Sequence, residues 1–172
     1  MIPKASASFR PRVVLDTNVC LDLFMFRDLR WQALLAPLVR GEVEAFTRHD
    51  CRREFELVLA YDKWKLSTQA QSEILMEFDQ HIRRYAGGDD AAAGDTASGL
   101  PVCKDSDDQK FLEVALACRA DVLITKDKAL LKLARKTARL GQFTILPPES
   151  WQGWFEEALA TQPAQGPAES PP

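Results

Sequence analysis

Cysteine and histidine are scarce in this chain, which excludes the common metal and disulfide frameworks. The four cysteines lie at positions 20, 51, 103 and 118, so no Cys-x-x-Cys pair exists, and only His49 and His81 are present. This spacing supports neither a zinc knuckle nor a disulfide scaffold. A histidine-rich metal site is excluded as well. The cysteines are typical of reduced thiols in a cytoplasmic protein.

Long apolar runs and a strong charge imbalance are also missing. No apolar segment approaches the roughly 20 residues that a membrane span needs, and residues 1–11 lack the apolar core of a signal peptide. The net charge of −3 neither predicts nor excludes nucleic-acid binding, because the local distribution of charge matters more than its sum. With 172 residues, 46% of them hydrophobic, we expect one core and no membrane association.

A β-branched run that ends in a carboxylate opens the foldable part of the chain. Residues 13–15 (VVL) are typical of a strand that is covered on both faces. Asp16 follows, where such a strand gives way to a helix. In open α/β sheets the active crevice lies at these carboxyl ends. Because a core strand gains nothing from ending in an acid, we expect Asp16 to have a function there.

Alternating strand and helix patterns predict a single α/β domain. Apolar runs that favour strands are separated by amphipathic helical segments, an order typical of βα units around a mostly parallel sheet. We therefore predict a three-layer α/β/α fold with about five strands. The predicted strands lie at about 12–16, 42–46, 101–103, 122–125 and 143–146.

Polar residues and glycines mark the predicted helix ends. Asp28 and Ser67 are typical N-caps, and Thr47 or Asp50 is expected to open the helix after the second strand. The pair Gly87-Gly88 predicts the end of the helix that begins after Ser67.

The predicted domain covers residues 11–160. Residues 1–10 are small and polar and are expected to form a flexible tail. Residues 86–99, rich in Gly, Ala and Asp, favour a flexible loop over a domain boundary, because too little chain follows for a second core. The composition of residues 161–172 predicts a disordered C-terminal tail.

Acidic residues follow three of the predicted strands. Asp16 follows the first, the run 105–108 (DSDD) follows the third, and Asp127 follows the fourth. These ends share one edge of a parallel sheet, and Glu54 on the helix after the second strand can point into the same space. Clustered carboxylates repel one another unless a cation neutralises them. An oxygen-only set suits Mg²⁺ or Mn²⁺ better than zinc and can activate water for phosphoryl transfer.

Each of these acids also has a purely structural interpretation. Asp16 could cap the helix that follows, and Asp127 could close a simple turn. The acids of the run 105–108 could form an N-cap with charges that suit the helix dipole. Glu54 could be solvated on a helix surface. The sequence leaves these interpretations open.

Three motifs, in this order, resemble the PIN-domain family. They are Leu-Asp-Thr-Asn-Val near the start, the DSDD run that leads into Phe-Leu-Glu-Val-Ala-Leu-Ala, and Ala-Asp-Val-Leu-Ile-Thr-Lys-Asp. The resemblance spans about residues 12–150 and extends to the toxin components of bacterial toxin–antitoxin systems. It implies a metal-dependent endoribonuclease that hydrolyses single-stranded RNA.

The resemblance also implies roles for individual residues. Four acids would bind Mg²⁺ or Mn²⁺, and polar neighbours would position a carboxylate or the attacking water. The four acids are Asp16, Glu54, Asp108 and Asp127. The supporting residues are Asn18 and Thr125, together with Asp105 or Asp107, which could share the role of Asp108.

Several partners follow from the same interpretation. Single-stranded RNA is the expected substrate, a cognate antitoxin protein is the expected inhibitor, and a homodimer is expected through apolar residues in the segment 21–26. A group of basic side chains could bind RNA phosphates, although a solvated helix face explains them equally well. These are Lys126, Lys128, Lys132 and Arg135.

Two alternatives remain: a non-catalytic RNA- or protein-binding module on the same fold, or another magnesium-dependent phosphohydrolase. The second would need an Asp-x-Asp motif at the first strand, where this chain has Asp16-Thr17-Asn18. Substitution distinguishes a nuclease from the non-catalytic module. In a nuclease, Asp16→Ala or Asp127→Ala is expected to abolish RNA cleavage, whereas binding by a non-catalytic module is expected to be unaffected. Without metal, both substitutions are expected to leave stability equal or raised, because they relieve like-charge repulsion.

Overall fold

A parallel five-stranded sheet organises the chain. The computed structural model describes residues 9–86 and 99–161, and its strands pair in parallel in the order β3-β2-β1-β4-β5. The predicted three-layer α/β fold with about five strands is confirmed. The strands are β1 (Arg12–Leu15), β2 (Glu44–Thr47), β3 (Ile82–Arg84), β4 (Val122–Ile124) and β5 (Thr144–Leu146).

Helices connect the strands and cover both faces of the sheet. A π-helical turn (Leu21–Met25) continues the first helix, and short 3₁₀ turns precede several others. The α-helices are α1 (Thr17–Cys20), α2 (Gln32–Val39), α3 (His49–Leu59), α4 (Thr68–His81), α5 (Gln109–Ala117), α6 (Lys128–Leu131), α7 (Ala134–Arg139) and α8 (Trp151–Ala160).

Alternating side chains of β1 divide the core into two layers. Val13 and Leu15 point to one face of the sheet and Val14 to the other, because successive strand residues point in opposite directions. Residues of α1 to α4 and α8 pack on the first face, and residues of α5 and α6 pack on the second. Both faces of the inner strands are therefore buried, which explains their continuous apolar runs.

The direction of the chain across the sheet reverses between β1 and β4. From β1 the chain moves outward to β2 and β3, and it then returns to place β4 on the other side of β1. In open α/β sheets a crevice forms at such a switch point, outside the carboxyl ends of the strands. Asp16 follows β1 directly and Thr125 follows β4 directly. The fold therefore brings both residues to this crevice.

The third strand does not lie where the sequence pattern predicted it. β3 is Ile82–Arg84, and residues 101–103 form no strand. Because β3 is an edge strand in which only Ile82 is buried, it lacks the apolar run that marks an inner strand. The segment 101–103 is bound instead by the side chain of Gln109, which accepts a hydrogen bond from the backbone N–H of Cys103 at 2.7 Å.

Two predicted helix caps are confirmed, and one predicted helix end is wrong. The side chains of Asp28 and Ser67 each accept a hydrogen bond from a backbone N–H in the following turn. The helix after Ser67, α4, ends at His81 rather than at Gly87-Gly88. It ends early because the chain enters β3 at once and pairs with β2.

The start of α3 also differs from the prediction. Arg48 occupies its N-cap position and makes no capping hydrogen bond through its side chain. Neither Thr47 nor Asp50 caps the helix, because Thr47 ends β2 and Asp50 already lies in the first turn. The carboxylate of Asp50 pairs with the guanidinium of Arg48 at 2.6 Å. An acid in the first turn suits the helix dipole without acting as a cap.

The predicted tails and loop fall largely outside the described residues. The tail 1–10 is described only from residue 9, the loop 86–99 only at its two ends, and the tail 161–172 only at residue 161. The domain boundaries at 11 and 160 remain predictions. Among the described helices, none is both long and apolar enough to span a membrane.

The apolar segment 21–26, predicted as a dimer contact, is mostly part of the core. Leu21, Leu23 and Phe24 are at most 5% exposed, whereas Phe26 is 52% exposed. The π-helical turn packs against α4, where the ring of Phe24 meets the ring of Phe78 at 5.8 Å. The prediction of an exposed apolar segment is therefore wrong for these three residues. Phe26 keeps its side chain on the surface.

Candidate metal centre at the switch point of the sheet

Asp16 lies buried at the end of β1. Its side chain is the N-cap of α1, and Oδ1 accepts a hydrogen bond from the backbone N–H of Val19 at 2.8 Å. Oδ2 accepts hydrogen bonds from the hydroxyl of Thr125 and from the backbone N–H of Lys126, the latter at 3.2 Å. Burial raises the pKa of Asp16 above its ordinary value, and these hydrogen bonds oppose the shift. Asp16 is therefore both a helix cap and the link between β1 and β4.

The segment after β4 holds a second acid in a fixed position. The buried hydroxyl of Thr125 accepts a hydrogen bond from the backbone N–H of Asp127 at 2.9 Å. Asp127 caps α6, where its Oδ1 accepts hydrogen bonds from the backbone N–H groups of Ala129 at 2.7 Å and Leu130 at 3.1 Å. The capping interpretation thus holds for Asp127, as it does for Asp16. The two caps place both carboxylates at the same crevice.

Glu54 of α3 faces the same region. Its carboxylate accepts a hydrogen bond from the hydroxyl of Thr17, the residue after Asp16, and pairs with the ammonium of Lys110 on α5. Glu54 is partly buried, so it is not simply a solvated residue on a helix surface. Its charge has a partner within the protein, because Lys110 lies beside it.

The acidic run 105–108 forms a 3₁₀ turn that leads into α5. Asp105 caps this turn by accepting a hydrogen bond from the backbone N–H of Asp107 at 3.0 Å, and both side chains are exposed. Asp108 is partly buried and makes no capping bond. Burial, and after it the charges of four nearby carboxylates, raise the pKa of Asp108 to about 6. These carboxylates are Asp127, Asp105, Asp16 and Glu54.

The carboxylates share one crevice without forming a closed group. Within residues 9–86 and 99–161, no three His, Cys, Asp or Glu side chains lie close enough together to hold a metal ion. The side chains of Asp16 and Asp127 bind the starts of their own helices, and Glu54 binds Thr17 and Lys110. Closing the group around an ion would require these side chains to turn toward one another.

The donor set fits a hard divalent cation in its chemistry. All of the acids present carboxylate oxygens, the ligands that Mg²⁺ and Mn²⁺ prefer. Burial first, and the nearby carboxylates after it, raise the pKa of Asp108, and a bound cation would oppose this shift.

One predicted supporting residue is exposed to solvent, and two neighbours of the acids were not predicted. Asn18 is exposed in the first turn of α1. Thr17 and Lys110 both contact Glu54, and neither was singled out in the sequence. Thr17 belongs to the Leu-Asp-Thr-Asn motif, which could have indicated it. Lys110 offers no sequence signal, because its partner lies 56 residues earlier in the chain.

The basic residues predicted to bind RNA differ in their surroundings. Lys126 pairs with Asp22 at 2.6 Å, so its ammonium is engaged by the protein. Three of the basic side chains are exposed: Lys128 on α6, Lys132 just after it, and Arg135 on α7. They follow Asp127 in the chain.

A doubly wound parallel sheet with carboxylates at its switch point defines a class of α/β proteins with an acidic crevice. Within this class, residues 12–129 match the PIN domain family. The chain therefore belongs to the PIN domain family, as its motifs predicted. PIN domains are generally nucleases and generally use divalent metals.

A solved structure shows the same fold. The chain is similar to one in the crystal structure of VapBC2 from Rickettsia felis bound to a DNA fragment from their promoter, with a TM-score of 0.51. The two share 18% sequence identity, and the match covers 79% of this chain and 98% of that one. At this identity the similarity shows the fold alone. No curated protein matches the chain significantly.

Proposed function

We propose that this protein is a metal-dependent endoribonuclease that hydrolyses phosphodiester bonds in single-stranded RNA. The observation that carries the proposal is the hydrogen-bonded link between Asp16 and the segment of Thr125 and Asp127, with Asp108 beside it. Membership in a family of nucleases supports the hydrolytic activity. The all-oxygen donor set supports Mg²⁺ or Mn²⁺ over zinc.

In this proposal four acids hold the cation, and their neighbours orient them. A divalent cation in the crevice would supply activation of water and stabilisation of charge on the phosphoryl oxygens. Thr125 orients Asp16 and fixes the turn that carries Asp127, whereas Thr17 orients Glu54. The proposed ligands are Asp16, Glu54, Asp108 and Asp127, with Asp105 or Asp107 able to share the role of Asp108.

The remaining predicted residues would act on the substrate. Asn18, exposed beside Asp16, would contact the water or the RNA rather than a buried carboxylate. The exposed side chains of Lys128, Lys132 and Arg135 would bind phosphates on the strand that enters the crevice. Lys126 would contribute less, because its ammonium already pairs with Asp22.

The biological role that fits this activity is that of a toxin in a toxin–antitoxin pair. The resemblance of the motifs supports it, and so does the shared fold with VapBC2 from Rickettsia felis. The protein would then act on RNA in the cytoplasm, form a homodimer, and be inhibited by a cognate antitoxin protein that covers the crevice. Induced expression in a bacterial host should arrest growth, and Asp16→Asn should abolish the arrest.

Cleavage of a labelled single-stranded RNA tests the proposed activity. The purified protein is assayed with Mn²⁺, with Mg²⁺ and with EDTA, beside Asp127→Asn and the control Asp121→Asn. Asp121 is a matched control because its carboxylate, like that of Asp127, accepts a hydrogen bond from the backbone, here from the N–H of Arg12 at 2.7 Å. It lies at the opposite edge of the sheet. We expect metal-dependent cleavage that Asp127→Asn abolishes and Asp121→Asn retains.

Other results favour the alternatives. Binding of RNA without cleavage under any metal condition would favour a non-catalytic binding module. Cleavage that persists in EDTA, or in Asp127→Asn, would contradict the proposed site. Hydrolysis of small phosphate esters, with RNA left intact, would favour a different phosphohydrolase.

A further inference from the structure

Asp22 is a buried carboxylate outside the proposed set of metal ligands. It lies in the π-helical turn after α1 and is 7% exposed. Its Oδ2 accepts a hydrogen bond from the indole N–H of Trp31 at 3.2 Å and pairs with the ammonium of Lys126 at 2.6 Å. Because a buried carboxylate without partners is costly, these two donors hold Asp22 in a fixed position.

Its partner Lys126 stands between two residues of the candidate metal centre. The backbone N–H of Lys126 binds Oδ2 of Asp16, and its neighbours in the chain are Thr125 and Asp127. The side chain of Lys126 is 38% exposed, so packing alone does not fix its long, flexible stem. An ammonium on such a stem next to repelling carboxylates would be attracted into the crevice if no other acceptor held it.

A second lysine in this region, Lys110, does pair with one of the acids of the crevice. Lys110 reaches the acid set from α5 and pairs directly with Glu54. Lys126 has a separate acceptor, and its ammonium is directed to Asp22 instead. The difference between the two lysines lies in the presence of this buried carboxylate.

We propose that Asp22 is a positioning residue that holds the ammonium of Lys126 outside the crevice, so that Asp16 and its neighbours remain available to a divalent cation. The inference rests on the proposed function in one respect, that the crevice binds such a cation. Asp22 acts through Lys126 and does not itself contact the ion. Loss of Asp22 should therefore weaken metal binding only while Lys126 is present.

Titration calorimetry with Mn²⁺ tests this dependence in the full-length protein. The variants are Asp22→Asn, Lys126→Met and the double variant, with Lys128→Met as a matched control for the loss of one nearby exposed lysine. Asp22→Asn should weaken Mn²⁺ binding roughly tenfold, as loss of a residue that supports metal ligands commonly does. Lys126→Met and the double variant should bind Mn²⁺ at least as tightly as Lys128→Met.

The outcomes separate this inference from the proposed function. If the wild-type protein binds no Mn²⁺, the proposed metal centre fails. If it does bind, equal affinity in Asp22→Asn would overturn the inference, and so would a double variant as weak as Asp22→Asn. A loss in Lys126→Met would show that the ion pair fixes the loop rather than removing a competitor. This last comparison stands even if Asp22→Asn does not fold, because Lys126 is at the surface.

Discussion

The hydroxyl of Thr125 donates a hydrogen bond to Oδ2 of Asp16, although 109 residues separate the two in the sequence. The same hydroxyl accepts a hydrogen bond from the backbone N–H of Asp127 at 2.9 Å. One buried side chain thus holds two acids in register at the ends of adjacent strands. The crevice is organised by a hydroxyl between the acids rather than by direct contact of one carboxylate with another.

Removal of this hydroxyl should disturb both stability and metal binding. Thr125→Val leaves Oδ2 of Asp16 and the N–H of Asp127 without their partner, and unfolding should become easier by about 1–3 kcal/mol. Mn²⁺ affinity should fall roughly tenfold, because both acids lose their orientation. Thermal unfolding and calorimetry measure the two effects, and Thr125→Ser, which keeps the hydroxyl, is the control. Equal behaviour of the Val and Ser variants would show that the bond is unimportant.

Asp16 should respond differently to substitution by asparagine and by alanine. The sequence alone suggested that loss of this acid leaves stability equal or raised, but its side chain also caps α1 and accepts two bonds from the segment after β4. Asp16→Ala removes all three and should lower stability by about 1–3 kcal/mol. Asp16→Asn keeps one acceptor oxygen and removes a buried charge, but its amide N–H₂ faces one of these donors, so its melting temperature in EDTA should lie between those of the alanine variant and the wild type. Thermal unfolding compares the three proteins.

An alanine variant at least as stable as the wild type would show that relief of charge repulsion outweighs the lost hydrogen bonds. Both variants should lack RNA cleavage, because neither supplies a carboxylate at this position.

The raised pKa of Asp108 predicts how stability without metal depends on pH. In the folded protein this pKa is raised to about 6 from an ordinary value of 3.8, so the folded state binds more protons than the unfolded state between these values. Stability should fall as the pH rises through this window. At pH 7 in EDTA, the free energy of unfolding of Asp108→Asn should therefore exceed that of the wild type. The difference should be only about 1 kcal/mol, because solvent screens the partly exposed carboxylate.

Chemical unfolding at pH 4 and at pH 7 measures the difference between the two proteins. It should be much smaller at pH 4, where the carboxyl group of the wild type is protonated in the folded state and partly ionised in the unfolded state. With Mn²⁺ at pH 7 the order should reverse, because a ligand that binds only the folded wild type stabilises it. A variant less stable than the wild type in EDTA at pH 7 would contradict a pKa of Asp108 that burial and the nearby carboxylates raise.

The parts of this molecule that could be predicted are those that depend on neighbouring residues in the sequence. The run Val13 to Leu15 identified an inner strand because both of its faces are apolar, and Ser67 identified a helix start because capping is local. The edge strand β3 escaped prediction, since one buried residue, Ile82, gives no pattern. Residues 101–103 gave a false strand prediction because their backbone groups bind the side chain of Gln109 rather than a neighbouring strand.

Some features of the candidate site could likewise be predicted from the sequence, and others could not. The approach of Asp16 and Asp127 to a shared edge follows from parallel strands, and the structure places them there through Thr125. The ion pairs could not be predicted, because Lys110 reaches Glu54 and Lys126 reaches Asp22 only through the packing of separate elements. The roles of these residues toward a metal remain predictions.

The exposed basic side chains that follow Asp127 in the chain predict a salt-dependent affinity for RNA. Replacing Lys132 or Arg135 by alanine should weaken RNA binding and lower its dependence on salt by about one counterion for each phosphate that is no longer neutralised. Mn²⁺ affinity should not change, because neither side chain contacts the acids. Fluorescence anisotropy with a catalytically inactive Asp127→Asn background measures binding across a salt series. An unchanged salt dependence would show that α6 and α7 do not face the RNA.

A Mn²⁺ titration that is monitored by electron paramagnetic resonance tests most directly whether the acids converge on one cation. The wild type is compared with Asp16→Asn, Asp108→Asn and Asp127→Asn, and with Asp121→Asn as the carboxylate control at the opposite edge of the sheet. We predict binding by the wild type and the control, with affinity reduced roughly tenfold or more in each of the other three. Equal binding by all five proteins, or no binding by the wild type, would contradict a metal centre at this crevice.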